Sequence, residues 1–223
     1  MAHILSQDDA AHDHRLTIEV ARGLALWMTF EDTFRVADLK TRGARVSRVR
    51  EEVRAPPAQV LQVTEFMKPR VAEICGSLPT AIGRFLLRSP KLLKCMQRFA
   101  GDRQISTSTL LGFLFLRLLA RAGYWRRSTL RFIEETARID SWLSDIRSLT
   151  AVNYDLALEV AACHRLVKGY GATHERGLMN YARVIAAAKA ARITPGVAAD
   201  LRRWREAALA DDDGIALDNA LLR

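Results

Sequence analysis

The sequence is short of the residues that build disulfide frameworks, turn-rich sandwiches and membrane spans. Its only cysteines are Cys75, Cys95 and Cys163, 20 and 68 residues apart. That is too few for a disulfide framework and one short of the four ligands of an iron–sulfur cluster, so they are expected as small hydrophobes in a reducing compartment. Twelve glycines and six prolines are too scarce for a β-sandwich, a collagenous chain or a flexible linker. The first residues show no basic segment followed by an apolar run, so no signal peptide is expected. The most apolar stretch, residues 110–122, is too short to span a bilayer and carries Arg117. A cytosolic (cytoplasmic) protein with no membrane partner is the expectation.

What the chain does have is positive charge and helical periodicity. Lys and Arg number 34 against 25 Asp and Glu, a net charge of +9, with a pI near 10.0. Such a balance leaves open nucleic acid, anionic lipid or an acidic protein as partner. The charge is uneven: residues 84–138 hold twelve basic side chains against Asp102, Glu134 and Glu135, and residues 35–54 add seven more. Phe99, Tyr124, Trp125 and Phe132 lie among these charges, which suits single-stranded nucleic acid. Most of them also fit core positions, and a solvated face or one meeting an acidic subunit is the simpler expectation.

Apolar residues recur at three and four almost throughout, and alternating strand-like runs are nearly absent. The expected fold class is all-α, a multi-helix bundle with one long N-terminal helix and a central helical hairpin. The first helix is expected from about residue 14 to about residue 53, with Leu16, Val20, Leu24, Trp27 and Phe34 on one face. Shorter helices follow around residues 69–75, 81–87 and 91–99. The central pair covers residues 107–122 and 130–167, with a break near Asn153. The remaining helices are expected from Thr173 to about residue 191 and over 197–209. A tail over 1–15, a single helical domain over 16–210 and an acidic tail over 211–223 complete the expected organisation.

Catalytic signatures are missing. There is no Walker A sequence and no His-Glu-x-x-His pair. Gly101-Asp102 is followed by Arg103, not by the glycine that a thiamine diphosphate metal site uses. Cys163 and His164 are helical neighbours, turned about 100° apart, a poor nucleophile–base geometry.

Two features stand out. The apolar stripe of the first helix runs on through Glu31 and Asp38. These acids are candidates for a buried acid site, or for structural ion pairs with arginines such as Arg35 and Arg42. The second feature is the run Lys168-Gly169-Tyr170-Gly171-Ala172-Thr173-His174-Glu175-Arg176-Gly177. It reads as a tight corner between helices, with a glycine in the left-handed position and Thr173 capping the next helix. Gly177 inside that helix implies close approach of another element. The corner is either a rigid structural turn or an anion-binding or interface site formed by Lys168, Gly169, Tyr170, Gly171, Thr173, His174 and Arg176.

Four blocks carry a family resemblance: residues 27–32 (WMTFED), 35–40 (RVADLK), 64–70 (TEFMKPR) and 166–177, which contains Lys168-Gly169-Tyr170-Gly171. They resemble the C-terminal helical domain, a domain of unknown function, of the indolepyruvate:ferredoxin oxidoreductase beta subunit in its long bacterial form. The resemblance spans residues 16–217. It implies oxidative decarboxylation of 2-oxoacids with electron transfer to ferredoxin, using thiamine diphosphate and iron–sulfur clusters held on partner chains and no cofactor or metal in this one. The gamma-type catalytic-subunit domain that precedes this region in the family is missing here, so an excised fragment or a split gene is expected. The chain is accordingly expected to be an accessory or assembly domain bound to a catalytic subunit or domain, not catalytic by itself. The alternative is a free-standing basic helical nucleic-acid-binding protein; an independent enzyme is the third reading.

Overall fold

A computed structural model describes residues 2–8, 12–30, 32–56, 58–98, 100–169, 171–191, 194, 196–211 and 213–222. Helices dominate, so the all-α class is observed. Among the described residues the strands amount to one short pair: β1 (Thr64–Met67) runs antiparallel to β2 (Arg103–Ser106), with Glu65 opposite Ile105.

The expected long first helix is three helices, α2 (Arg15–Met28), α3 (Thr33–Lys40) and α4 (Gly43–Glu52). Local hydrogen bonding overrides the apolar stripe at both breaks. The Thr29 hydroxyl donates to the Ala25 carbonyl at 3.0 Å, and Asp32 accepts from the Arg35 N–H at 2.8 Å as the N-cap of α3. The Thr41 hydroxyl repeats the backbone bond on Ala37, and Gly43 opens α4.

The expected single domain over residues 16–210 is two compact units. One is split in sequence, Met1–Thr29 with Ala137–Arg223; the other, Phe30–Thr136, is inserted between them. Helical periodicity runs through both and marks no boundary, which is why the sequence does not show the division.

The split unit contains α1 (Ala2–Gln7), α2, α10 (Tyr154–Ala162), α11 (Gly171–Ala190), α12 (Val197–Ala210), α13 (Ile215–Leu221) and the latter part of α9 (Leu130–Thr150). Its core joins Leu16, Val20, Trp27, Trp142, Ile146, Val184 and Leu201. Trp142 is wholly buried, donates its indole N–H to the Val160 carbonyl at 3.0 Å and meets Trp27 at a 5.1 Å centroid distance. Gly23 lets α2 pass close by: a Cβ there would sit 2.8 Å from the His164 ring and 2.9 Å from Trp142.

Both expected tails are helical because each carries a core residue. Ile4 of α1 and Leu217 of α13 are buried in the same cluster. Asp8 fixes the first by accepting from the Thr17 N–H at 2.8 Å and the Tyr154 hydroxyl at 2.9 Å. Asp211 fixes the second by accepting from the Asp213 and Ala216 N–H groups.

The inserted unit holds α3, α4, the strand pair, α5 (Val71–Gly76), α6 (Thr80–Arg88), α7 (Pro90–Met96), α8 (Leu110–Ala122), a 3-10 turn over Gly123–Ser128 and the start of α9. The principal packing of α8 is on α3, and Phe34, Ala37, Cys75, Leu116 and Leu130 are buried hydrophobic side chains of the unit. The expected central hairpin is therefore two helices, α8 and α9, linked by the 3-10 turn, with α8 committed to α3. Thr109 and Thr129 cap α8 and α9, accepting from Gly112 N–H at 3.2 Å and Phe132 N–H at 3.3 Å. The expected 130–167 helix breaks at Asn153, whose side chain accepts from Leu156 N–H to open α10.

Candidate functional site

The 168–177 corner lies in the split unit. Helix α10 tightens into a 3-10 turn over Cys163–Leu166, and the chain then reverses into α11. Gly169 and Gly171 both adopt left-handed backbone, with φ of 74° and 60°. Gly177 has no room for a side chain, since a Cβ there would stand 2.3 Å from the Leu166 carbonyl oxygen. Its absent side chain is what lets α11 lie against the turn.

Because α11 starts at Gly171, Thr173 belongs to its first turn and is not the expected cap. Thr173, Arg176, Gly177 and Asn180 follow one another at i, i+3, i+4 and i+7, a single helical face. With Lys168, Leu166 and the α12 residues Ala208 and Leu209 they line a small depression of about 20 Å³, room for one water-sized group. His174 is buried and does not line it, and Tyr170 lies outside the described residues. The structure thus gathers Lys168, Thr173 and Arg176, uses Gly169 and Gly171 for the turn, and separates His174 from the group.

Asn180 was not legible as a member. Its signal was positional: it stands seven residues after Thr173 and four after Arg176. It is only 9% exposed, and among the described residues its side chain has no hydrogen-bond partner. The same lack of a partner holds for Lys168, Thr173 and Arg176.

Of the two acids of the first helix, Glu31 lies outside the described residues. Asp38 is not buried; its side chain is 33% exposed and paired with Arg42 at 2.6 Å and Arg35 at 3.5 Å. The Arg42 hydrogen bond, reinforced by nearby positive charge, holds its carboxyl below the ordinary range. Of the two readings of this position, the geometry is that of a structural ion pair, because the breaks around α3 turn Asp38 off the core face.

The buried acids lie elsewhere. Glu19 accepts from Arg165 at 2.7 Å and Arg22 at 2.9 Å. Glu159 holds Arg202 and Arg205 at 2.7 and 2.8 Å. Glu65 of β1 is pushed up by burial, but Lys40 and Arg45 outweigh that and leave it below its ordinary value. Each of these three is paired with two basic side chains.

Cys163 and His164 are both buried. Burial pushes the Cys163 thiol up to about 12, so it stays protonated. His164 spends Nδ1 on the Ala161 carbonyl, 3.0 Å away. A wider cleft of about 240 Å³ between α9, α10 and α11 is walled by Leu149, Leu156, Val160 and Ile185, and its charged residues, Asp145 and Lys189, pair with each other at 2.9 Å. Among the described residues no cluster of His, Cys, Asp or Glu can hold a metal ion, and no helix is long and apolar enough to cross a membrane.

The inserted unit offers an exposed apolar surface. On α8, Leu111, Leu114, Phe115 and Leu118 occupy one face and are 82%, 44%, 54% and 67% exposed. On α6, Ile82 and Phe85 are exposed as well. Arg84, Arg88, Lys91, Lys94 and Arg121 have no carboxylate partner among the described residues. Tyr124 and Trp125 of the 3-10 turn, for which core positions were open, are also exposed, whereas Phe99 lies outside the described residues. Arg126 beside them is committed: it pairs with Asp32, donates to the Phe30 carbonyl at 3.0 Å and stacks 4.3 Å over the Phe30 ring.

No curated protein and no solved structure matches the chain. One family profile does, over residues 2–187, which takes in the whole inserted unit and the split unit through most of α11. The chain belongs to that family, described as a family of unknown function (DUF6537).

Proposed function

We propose that this protein is an accessory and assembly domain that docks onto a larger acidic partner through the inserted unit. The observation that carries the reading is the outward apolar face of α8. A contiguous stripe of Leu111, Leu114, Phe115 and Leu118 is unusual on a soluble surface and marks interfaces. The unpaired cations of α6 and α7 in the same unit favour a partner whose surface is acidic.

The family resemblance of the four sequence blocks names the partner: the catalytic subunit or domain of a 2-oxoacid:ferredoxin oxidoreductase of the indolepyruvate type. On this reading thiamine diphosphate and the iron–sulfur clusters reside on that partner. This chain contributes binding surface and no reacting group.

The test is affinity capture with the tagged chain in an extract of its source cells, followed by identification of the eluted proteins and an assay of 2-oxoacid-dependent dye reduction. Recovery of a thiamine-dependent oxidoreductase subunit, lost in Leu111→Asp and Leu118→Asp variants, is expected. Equal recovery by the wild-type and Asp variants would remove α8 from the interface, and absence of any such subunit would remove the assignment of the partner.

The exposed Tyr124 and Trp125 beside the unpaired Arg121 favour one second reading, single-stranded nucleic acid. It requires an affinity that falls steeply with salt as counterions are released. A flat or undetectable titration at low salt ends it.

A further inference from the structure

We infer that the depression on α11 is a binding site for a phosphoryl group, an assignment independent of the docking surface in the inserted unit. Three kinds of donor converge there. Lys168 and Arg176 bring two positive charges, Thr173 a hydroxyl and Asn180 an amide, all lining one depression. Among the described residues none of these side chains is satisfied by another part of the protein. Surface lysines and arginines often go unpaired, but Asn180 is nine-tenths buried, lines the depression and has no hydrogen-bond partner among the described residues.

The depression lies beside the first turn of a 20-residue helix, whose N–H groups have no intrahelical acceptors and whose dipole favours negative charge. Gly169 and Gly171 supply the left-handed backbone that brings Lys168 back towards this helix, and Gly177 lets α11 sit close enough to the turn to close the floor. The corner's unusual glycines are thereby accounted for together with its unpaired donors.

Size and charge select the ligand. A cavity of about 20 Å³ admits one oxygen and leaves the rest of the ligand outside, so it grips the end of a molecule and does not enclose a metabolite. A carboxylate carries one charge and would leave one of the two cations unmatched. A phosphoryl group near pH 7 carries between one and two charges and three terminal oxygens, so one oxygen can enter beside Thr173 and Asn180 while the others, outside the depression, meet the more exposed Lys168 and Arg176.

The experiment titrates the full chain with inorganic phosphate and with methyl phosphate at constant ionic strength, followed by calorimetry and by phosphorus NMR line width. Saturable one-to-one binding is expected, and whichever of the two binds more tightly identifies free phosphate or a phosphate monoester as the source. Lys168→Gln and Arg176→Gln should each weaken it about tenfold, and Asn180→Ala, which changes no charge, about fivefold. Arg88→Gln in the inserted unit should leave it unchanged, which separates a formed site from general attraction to a basic protein. Binding that never saturates, that acetate reproduces, or that Arg88→Gln lowers as much as Arg176→Gln does would overturn the inference. Should Asn180→Ala fail to fold, the exposed Lys168→Gln and the partly exposed Arg176→Gln still decide it.

Discussion

The split and inserted units are close in length, 116 and 107 residues, yet they bury their hydrophobic residues to different extents. The split unit turns them inward: every residue of the main buried cluster, from Ile4 to Leu217, belongs to it. The inserted unit buries only a handful and leaves Phe66, Phe85, Leu111, Phe115, Leu118 and Trp125 more than half exposed. Charge divides along the same line. The inserted unit carries 20 Lys and Arg against 10 Asp and Glu, the split unit 14 against 15, so the whole net charge of +9 resides in the inserted unit. One unit encloses the main apolar cluster, and the other carries the exposed apolar face and the basic charge on which the proposed docking rests.

The largest way to break this contrast is Trp142→Ala. Removing a fully buried indole together with its bond to Val160 should cost about 3–5 kcal/mol, read as a lower denaturant midpoint of the split unit. A loss below about 1 kcal/mol would mean that this cluster is not where the stability resides. Glu159→Ala comes next. It strands Arg205, whose side chain is 9% exposed, and should cost about 3 kcal/mol. Replacing Glu159 and Arg205 together by apolar residues should recover much of that loss, because the penalty comes from the stranded charge.

Much of this contrast was legible in the sequence and part was not. The helical class, the Asn153 break, the close approach at Gly177 and the concentration of basic charge follow from periodicity, capping residues and counting. The long first helix failed because an apolar stripe reports which face is buried, not whether the backbone is continuous. Asp32, Thr29 and Thr41 rewrite the hydrogen bonding locally while the stripe carries on past them. The terminal helices failed because six or seven residues give too little periodicity, and a single core anchor such as Ile4 or Leu217 decides the matter in three dimensions. At the corner, Lys168, Thr173 and Arg176 could be named from chemistry. Asn180 could not, because a polar residue inside a helix acquires meaning only when burial is known.

Acid should separate the units as well, since all five histidines lie in the split unit. Burial holds His164 below its ordinary value of 6.5, despite the hydrogen bond to Ala161 and the nearby Glu19. The unfolded chain therefore binds this proton more readily than the folded one, and stability falls as pH drops through about 6.5 towards the folded value. Glu65 is held below its ordinary 4.5, so its contribution is complete above that pH and is lost only on further acidification. Amide exchange should show protection in α2 and α10 weakening as the pH falls below about 6.5, with the strand pair holding until below about 4.5. Loss of both together, or an unchanged profile in His164→Gln, would count against a role for this histidine.

The smallest effect is expected where the apolar surface is greatest. Leu111→Ser and Leu118→Ser remove side chains that are 82% and 67% exposed, so almost no area returns to water when they are truncated. Together they should change the unfolding free energy of the isolated chain by no more than about 0.5 kcal/mol, against several for Trp142→Ala. Their consequence should appear instead as higher solubility and a weaker tendency to self-associate, measured by light scattering over a concentration series. A stability loss well above about 1 kcal/mol would show that this face belongs to the unit's own core. The inserted unit would then be a small folded body with an ordinary interior, and the contrast with the split unit would reduce to one of charge.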